Sequence, residues 1–101
     1  MSDVSIIKIA EGCPDLRSLT LNNCHKITDA SISLIAKSCR DLSKLVSYKS
    51  ELTNASMLQI AECSKLEKLN VSNCGQSITD MGMIAVAEGC PRLKELGLSM
   101  C

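Results

Sequence analysis

Cys13-Pro14-Asp15-Leu16-Arg17-Ser18-Leu19-Thr20-Leu21-Asn22-Asn23-Cys24-His25-Lys26-Ile27-Thr28-Asp29 is the stretch on which the reading of this chain turns. It opens with C-x-x-L-x-x-L-x-L-x-x-C and closes on an apolar residue followed by Thr-Asp. Working outward, the same pattern returns. Cys13, Cys39, Cys63 and Cys90 stand 26, 24 and 27 residues apart. Three residues after each comes a leucine, at Leu16, Leu42, Leu66 and Leu93. Six after come Leu19, Leu45, Leu69 and Leu96. Eight after come Leu21, Ser47, Val71 and Leu98, and eleven after come Cys24, Ser50, Cys74 and Cys101. A template met at four places is an internal repeat, and a period of this length marks stacked supersecondary units.

The second half of the unit repeats as well. Ile27-Thr28-Asp29, Leu52-Thr53-Asn54 and Ile78-Thr79-Asp80 align. Each precedes an apolar pattern of helical period: Ile32-Ile35-Ala36, Met57-Ile60-Ala61 and Met83-Val86-Ala87. Ile6, Ile9 and Ala10, following Asp3, fit the same half-unit. Within each unit, Leu19-x-Leu21 alternates with period two, which predicts a short strand with one buried face. Thr28 or Asp29 supplies the oxygen that a helix N-cap needs. The helices are expected to end near Gly12, Ser38 and Gly89, with Pro14 and Pro91 preventing their continuation. The units are placed at 13–38, 39–62 and 63–89, with partial units at 1–12 and 90–101. One strand and one helix cannot bury their own apolar face, so neighbouring units must stack.

These residues resemble the cysteine-containing leucine-rich repeat, found in F-box/leucine-rich-repeat proteins and in the antagonist-of-mitotic-exit-network family. The resemblance covers essentially the whole chain. It implies an α/β leucine-rich-repeat solenoid, a fragment of a horseshoe, with a short parallel sheet on the concave side and helices on the convex side. It also implies protein recognition, including choice of substrate for a cullin–RING ubiquitin ligase, although no F-box is seen before the repeats.

Composition narrows the function further. Eleven Lys and Arg balance eleven Asp and Glu, so no basic field draws the chain to nucleic acid or an anionic membrane. There is no Trp or Phe, and Tyr48 is the single aromatic. No apolar run has the length of a membrane span, and the N-terminus lacks the pattern of a signal peptide. Seven cysteines cannot all pair within one chain, and without a signal peptide they are expected to be reduced, in the cytoplasm or nucleus. The repeat accounts for each of them as a core position. Their spacing matches no local zinc pair, so neither metal nor other cofactor is expected. Cys24 and His25 are adjacent, but on extended chain they face opposite ways, and no second His is present. No catalytic residue is therefore assigned, and an enzyme is the least favoured reading.

A protein or peptide partner is expected on the concave face. If Leu19 and Leu21 point to the core, Ser18, Thr20 and Asn22 point out. Their equivalents are Lys44, Val46 and Tyr48, then Lys68, Asn70 and Ser72. Competing readings are that Tyr48 covers the defect left by Ser47 and that Lys44 and Lys68 are ordinary solubilising charges. A structural segment of a larger repeat protein is the alternative to a complete binding module. Uncapped end faces would favour self-association.

Overall fold

The computed structural model describes residues 3–21, 27–47, 52–71 and 78–97. Helices and strands alternate along the chain. They are α1 (Asp3–Gly12), β1 (Ser18–Leu21), α2 (Asp29–Ser38), β2 (Lys44–Ser47), α3 (Asn54–Ile60), β3 (Lys68–Asn70), α4 (Asp80–Gly89) and β4 (Glu95–Gly97). The strands form one parallel four-stranded sheet in the order β1-β2-β3-β4. Each helix packs on the next, α1 on α2, α2 on α3 and α3 on α4.

The register is the one the leucine spacing demands. Leu19, Leu45, Leu69 and Leu96 face one another across successive strands, and Ser18, Lys44, Lys68 and Glu95 do the same one residue earlier. A single carbonyl fixes the start of each pairing. Arg17 O accepts from Ser43 N and Lys44 N at 2.8 and 3.0 Å. Ser43 O accepts from Glu67 N and Lys68 N at 2.7 and 3.0 Å, and Glu67 O from Lys94 N and Glu95 N at 2.7 and 3.1 Å.

Each repeat cysteine marks the same corner. Cys39 and Cys90 are the C-cap residues of α2 and α4, and their N–H groups close the last helical turn on Ile35 O and Val86 O. Three residues later the chain turns back on that corner. The N–H groups of Leu16, Leu42, Leu66 and Leu93 donate to the carbonyls of Cys13, Cys39, Cys63 and Cys90 at 3.0–3.2 Å. The thiols also join units. Cys39 Sγ lies 3.4 Å from Cys13 O, and Cys90 Sγ lies 3.4 Å from Cys63 O and 3.5 Å from Ile60 O. A small apolar side chain that can still donate weakly suits a position walled by carbonyls.

The core runs continuously through the units. Ile6, Leu21, Ile27, Ile32, Ile35, Leu42, Leu45, Leu52, Met57, Ile60, Leu66 and Leu69 are all but inaccessible. Full burial of such a side chain is worth about 1.5–3 kcal/mol relative to exposure. Gly12 and Gly89 occupy equivalent helix ends, but space demands glycine only at the second. A Cβ on Gly12 would meet nothing, whereas one on Gly89 would sit 2.8 Å from the Ala61 carbonyl carbon. The short helix α3 stops at Ile60, just ahead of that contact.

Candidate protein-interaction surface

Successive strand residues face opposite sides of a sheet. Leu45 and Leu69 belong to the contiguous core, with Leu19 packed against it. Their strand neighbours therefore face away from it. The pairing aligns those neighbours in two rows: Ser18, Lys44, Lys68 and Glu95, and beside it Thr20, Val46, Asn70 and Gly97. Six residues expected on this face, Ser18, Thr20, Lys44, Val46, Lys68 and Asn70, are thus brought together. Asn22, Tyr48 and Ser72 lie outside the described residues. So do Cys24, Cys74, Cys101 and His25.

Three features shape this face. Lys44 and Lys68 are in register, and Lys68 Nζ pairs with Glu95 Oε2 at 3.4 Å. Much of the Lys68 charge is therefore met within the chain. Val46 was expected to be exposed like its row neighbours and is only 4% exposed. It lies between Thr20 and Asn70, outside the contiguous core, and gives a partner almost no area. Asn70 spreads over Gly97, where a Cβ would stand 2.8 Å from Asn70 Nδ2. Glycine in β4 thus gives the amide of Asn70 its place.

A second feature adjoins the strand starts. Arg17, Asp41, Ser43, Lys65, Glu67 and Arg92 line an open cleft of about 290 Å³. Lys65 Nζ and Asp41 Oδ1 are 2.6 Å apart, and Lys94 pairs with Glu67 at 3.4 Å. The Asp41 carboxyl is held below its ordinary value by the hydrogen bond from Lys65, and further by the charges of Lys65 and Arg17. Sequence reasoning passed over this row. Its signal was the second position after each repeat cysteine, Asp41, Lys65 and Arg92, joined by the fourth, Arg17, Ser43 and Glu67.

The buried cysteines offer little nucleophilic chemistry. Cys39, Cys63 and Cys90 are buried and free, and Cys13 is exposed and free. Burial pushes the Cys63 thiol up to about 11, with a further rise from Cys90, and burial also raises Cys39 and Cys90. A thiol held protonated is a poor nucleophile and a poor metal ligand. Among the described residues, no three His, Cys, Asp or Glu side chains cluster as metal ligands. No described helix is long and apolar enough to cross a membrane.

Parallel strands in tight register over a leucine row, joined one to the next by helices, define an α/β repeat protein. The chain belongs to the leucine-rich-repeat family: the family described as Leucine Rich repeat matches residues 12–36 and 62–87. It resembles the repeat segment of F-box/leucine-rich-repeat proteins. F-box/LRR-repeat protein 4 of Bos taurus is 31% identical over 92% of this chain and 19% of its own length. A Caenorhabditis elegans protein named for RNA binding is 29% identical over 98% of this chain and 14% of its own. F-box protein MAX2 homolog A of Petunia hybrida is 29% identical over 96% and 14%. The chain spans about a fifth or less of the length of these relatives.

Proposed function

We propose that the exposed sheet face binds a protein or peptide, as the concave side of a leucine-rich-repeat solenoid with the helices on its convex side. The observation that carries this reading is the pair of aligned rows, Ser18-Lys44-Lys68-Glu95 and Thr20-Val46-Asn70-Gly97, over the buried Leu45 and Leu69. Side chains held on a rigid sheet lose little freedom on binding, which favours recognition. Lys44, Lys68 and Asn70 supply polar contacts, with Ser18 and Thr20 at one margin. By sequence alternation, Asn22, Tyr48 and Ser72 would make the next row. Two relatives carry F-box in their names, which supports substrate choice for a ubiquitin ligase as the setting.

RNA is the less favoured ligand, although one relative is named for it. The chain is neutral overall, and Glu95 already meets Lys68 on this face. Backbone-driven RNA binding needs an excess of cations. A structural role within a longer repeat protein is the second reading, favoured by the small share of each relative that the chain spans. Four strands at about 4.8 Å spacing give a face roughly 15–20 Å wide, so affinity from this chain alone is expected to be weak.

The test compares proteins captured from lysate by the wild type, by Lys44→Ala/Lys68→Ala/Asn70→Ala, and by Lys37→Ala/Glu88→Ala on the exposed helix surface. A partner lost only with the first set supports the sheet face. A partner lost only with the second places recognition on the helices. Capture that disappears after ribonuclease treatment favours RNA.

A further inference from the structure

We propose that the cleft across the strand starts binds an extended acidic peptide segment, with one acidic side chain meeting Arg17 and another meeting Arg92. The inference is independent of what the exposed sheet face binds.

The lining comes from successive units. Arg17 stands just before β1, Asp41 and Ser43 before β2, Lys65 and Glu67 before β3, and Arg92 before β4. The cleft opens beside the stack of units, not at its ends. Its middle, Asp41, Ser43, Lys65 and Glu67, belongs to the two inner strands, each with a neighbour on both sides. The backbone beneath is tied from strand to strand. Arg17 O accepts from the N–H groups of Ser43 and Lys44 and from the Ser43 hydroxyl, and Ser43 O accepts from the N–H groups of Glu67 and Lys68. A floor fixed in this way holds the charged side chains at set spacing and lowers the ordering cost of binding.

Charge selects the ligand. Arg17, Lys65 and Arg92 outnumber Asp41 and Glu67 along the lining. Both carboxylates already have a lysine: Lys65 is 2.6 Å from Asp41, and Lys94 is 3.4 Å from Glu67. Neither guanidinium forms an ion pair with a described residue. The charge of Arg17 also lowers the Asp41 carboxyl, so it reaches across the unit boundary. A guanidinium fork takes a carboxylate through two parallel hydrogen bonds. The carboxylates between the two arginines repel a continuous run of negative charge such as a nucleic-acid backbone. They leave room for single acidic side chains placed apart.

Spacing sets the peptide. Arg17 and Arg92 are rooted three strand spacings apart, roughly 14 Å. An extended chain covers about 13 Å in four residues, and residues i and i+4 then lie on the same face. Two acidic side chains at that separation reach both arginines. Spread over that span, about 290 Å³ holds one extended chain and excludes a helix, which is about 10 Å across. Ser43 Oγ, which donates to Arg17 O, keeps lone pairs for a peptide N–H.

A nuclear magnetic resonance titration of the full chain tests this. The probe is a short peptide of Gly and Ser carrying Glu at positions i and i+4, added to about 5 mM. Saturable shifts should fall on the amides of Arg17, Ser43, Lys65, Glu67 and Arg92. A peptide with both Glu replaced by Gln should bind about tenfold more weakly, and one with the two Glu adjacent should also lose affinity. Arg17→Gln/Arg92→Gln should cost about the same factor as the Gln peptide. Both arginines are exposed, so the folded spectrum should survive their replacement. Lys44→Ala/Lys68→Ala/Asn70→Ala on the sheet face should change binding by less than about twofold. Shifts gathered on Lys44, Lys68 and Asn70 instead, or no saturable shift, overturn the proposal. So does equal binding of the Gln peptide, or unchanged binding by the arginine variant. An oligouridylate that saturates the same amides at lower concentration than the peptide overturns it as well.

Discussion

Two junctions in this molecule do the same work with different chemistry. Between α2 and α3, the Asp29 carboxylate accepts from Thr53 N at 2.9 Å and from the Thr53 and Ser56 hydroxyls. Between α3 and α4, Asn54 Oδ1 accepts from Thr79 N at 3.0 Å, while Asn54 Nδ2 donates to Thr79 Oγ1 at 2.8 Å. Gly82 stands where Ser56 stood and offers no hydroxyl. A carboxylate has no proton, so the Thr53 hydroxyl must donate to it, leaving a lone pair for its own helix. Thr53 Oγ1 uses that lone pair to accept from Ala55 N at 3.1 Å. At the amide junction the roles invert. Thr79 Oγ1 accepts from Asn54, and α4 has no side-chain N-cap bond. The acid junction thus goes with a helix capped by its own threonine and the amide junction with one that is not, a link that substitution at Asn54 tests.

The largest expected effect comes from breaking the acid junction. Asp29→Ala removes one acceptor from three donors, in a partly buried place where water replaces it poorly. A loss of about 2–3 kcal/mol is expected in urea unfolding, in the range for hydrogen bonds to a charged group. A loss below 0.5 kcal/mol would mean that the junction is decorative.

Titration with acid separates the two junctions next. Burial raises the Asp29 carboxyl, but hydrogen bonds from Ser56 and Thr53 outweigh it and leave it below the ordinary value of 3.8. A group with a lowered folded value contributes stability above its unfolded value and loses it as pH falls through the folded value. Unfolding free energy should therefore decline as pH drops below about 3.8. Asp29→Asn should flatten that decline while remaining able to accept from Thr53 N. Asp41, also lowered, is exposed to solvent and contributes less because water and salt screen it. A decline of unchanged steepness in Asp29→Asn would assign the acid sensitivity elsewhere.

The smallest effect converts one junction into the other. Asn54→Asp should make the Thr79 hydroxyl a donor and free it to cap α4 through Met81 N. A helix N-cap is worth about 0.5–2 kcal/mol, and because this site is exposed the gain should lie near 0.5 kcal/mol. Hydrogen exchange at the Met81 amide should slow at the same time. Unchanged exchange there would sever the proposed link between the acid and the cap.

The leucines at each third and sixth position after a cysteine made the strands and their register legible in the sequence, because period two and a fixed spacing leave one way to stack. Helix ends at Gly12, Ser38 and Gly89 were legible too. Thr28 and Asp29 were harder. Both residue types cap helices, and only the fold shows that Thr28 caps α2 while Asp29 reaches the next unit. Nothing local distinguishes a carboxylate that bonds within two residues from one that bonds across 24. Val46 was misjudged for exposure for a related reason. Alternation gives the side of the sheet a residue faces, while its accessible area depends on neighbours in other strands. The cleft around Arg17, Asp41, Lys65 and Arg92 needed charges from four units to be set side by side, which no single window contains.

The parallel register carries a consequence for how the chain acquires its shape. Ser18 pairs with Lys44, Lys44 with Lys68, and Lys68 with Glu95, so each new pairing reaches back only one unit. No step waits for distant ends to meet, and the loop-closure entropy is the same modest sum each time. During synthesis at a ribosome, β2 finds β1 once it has emerged, long before β4 exists. The chain can therefore order itself behind the exit tunnel in the sequence in which it is made, with only the newest unit exposed at any moment.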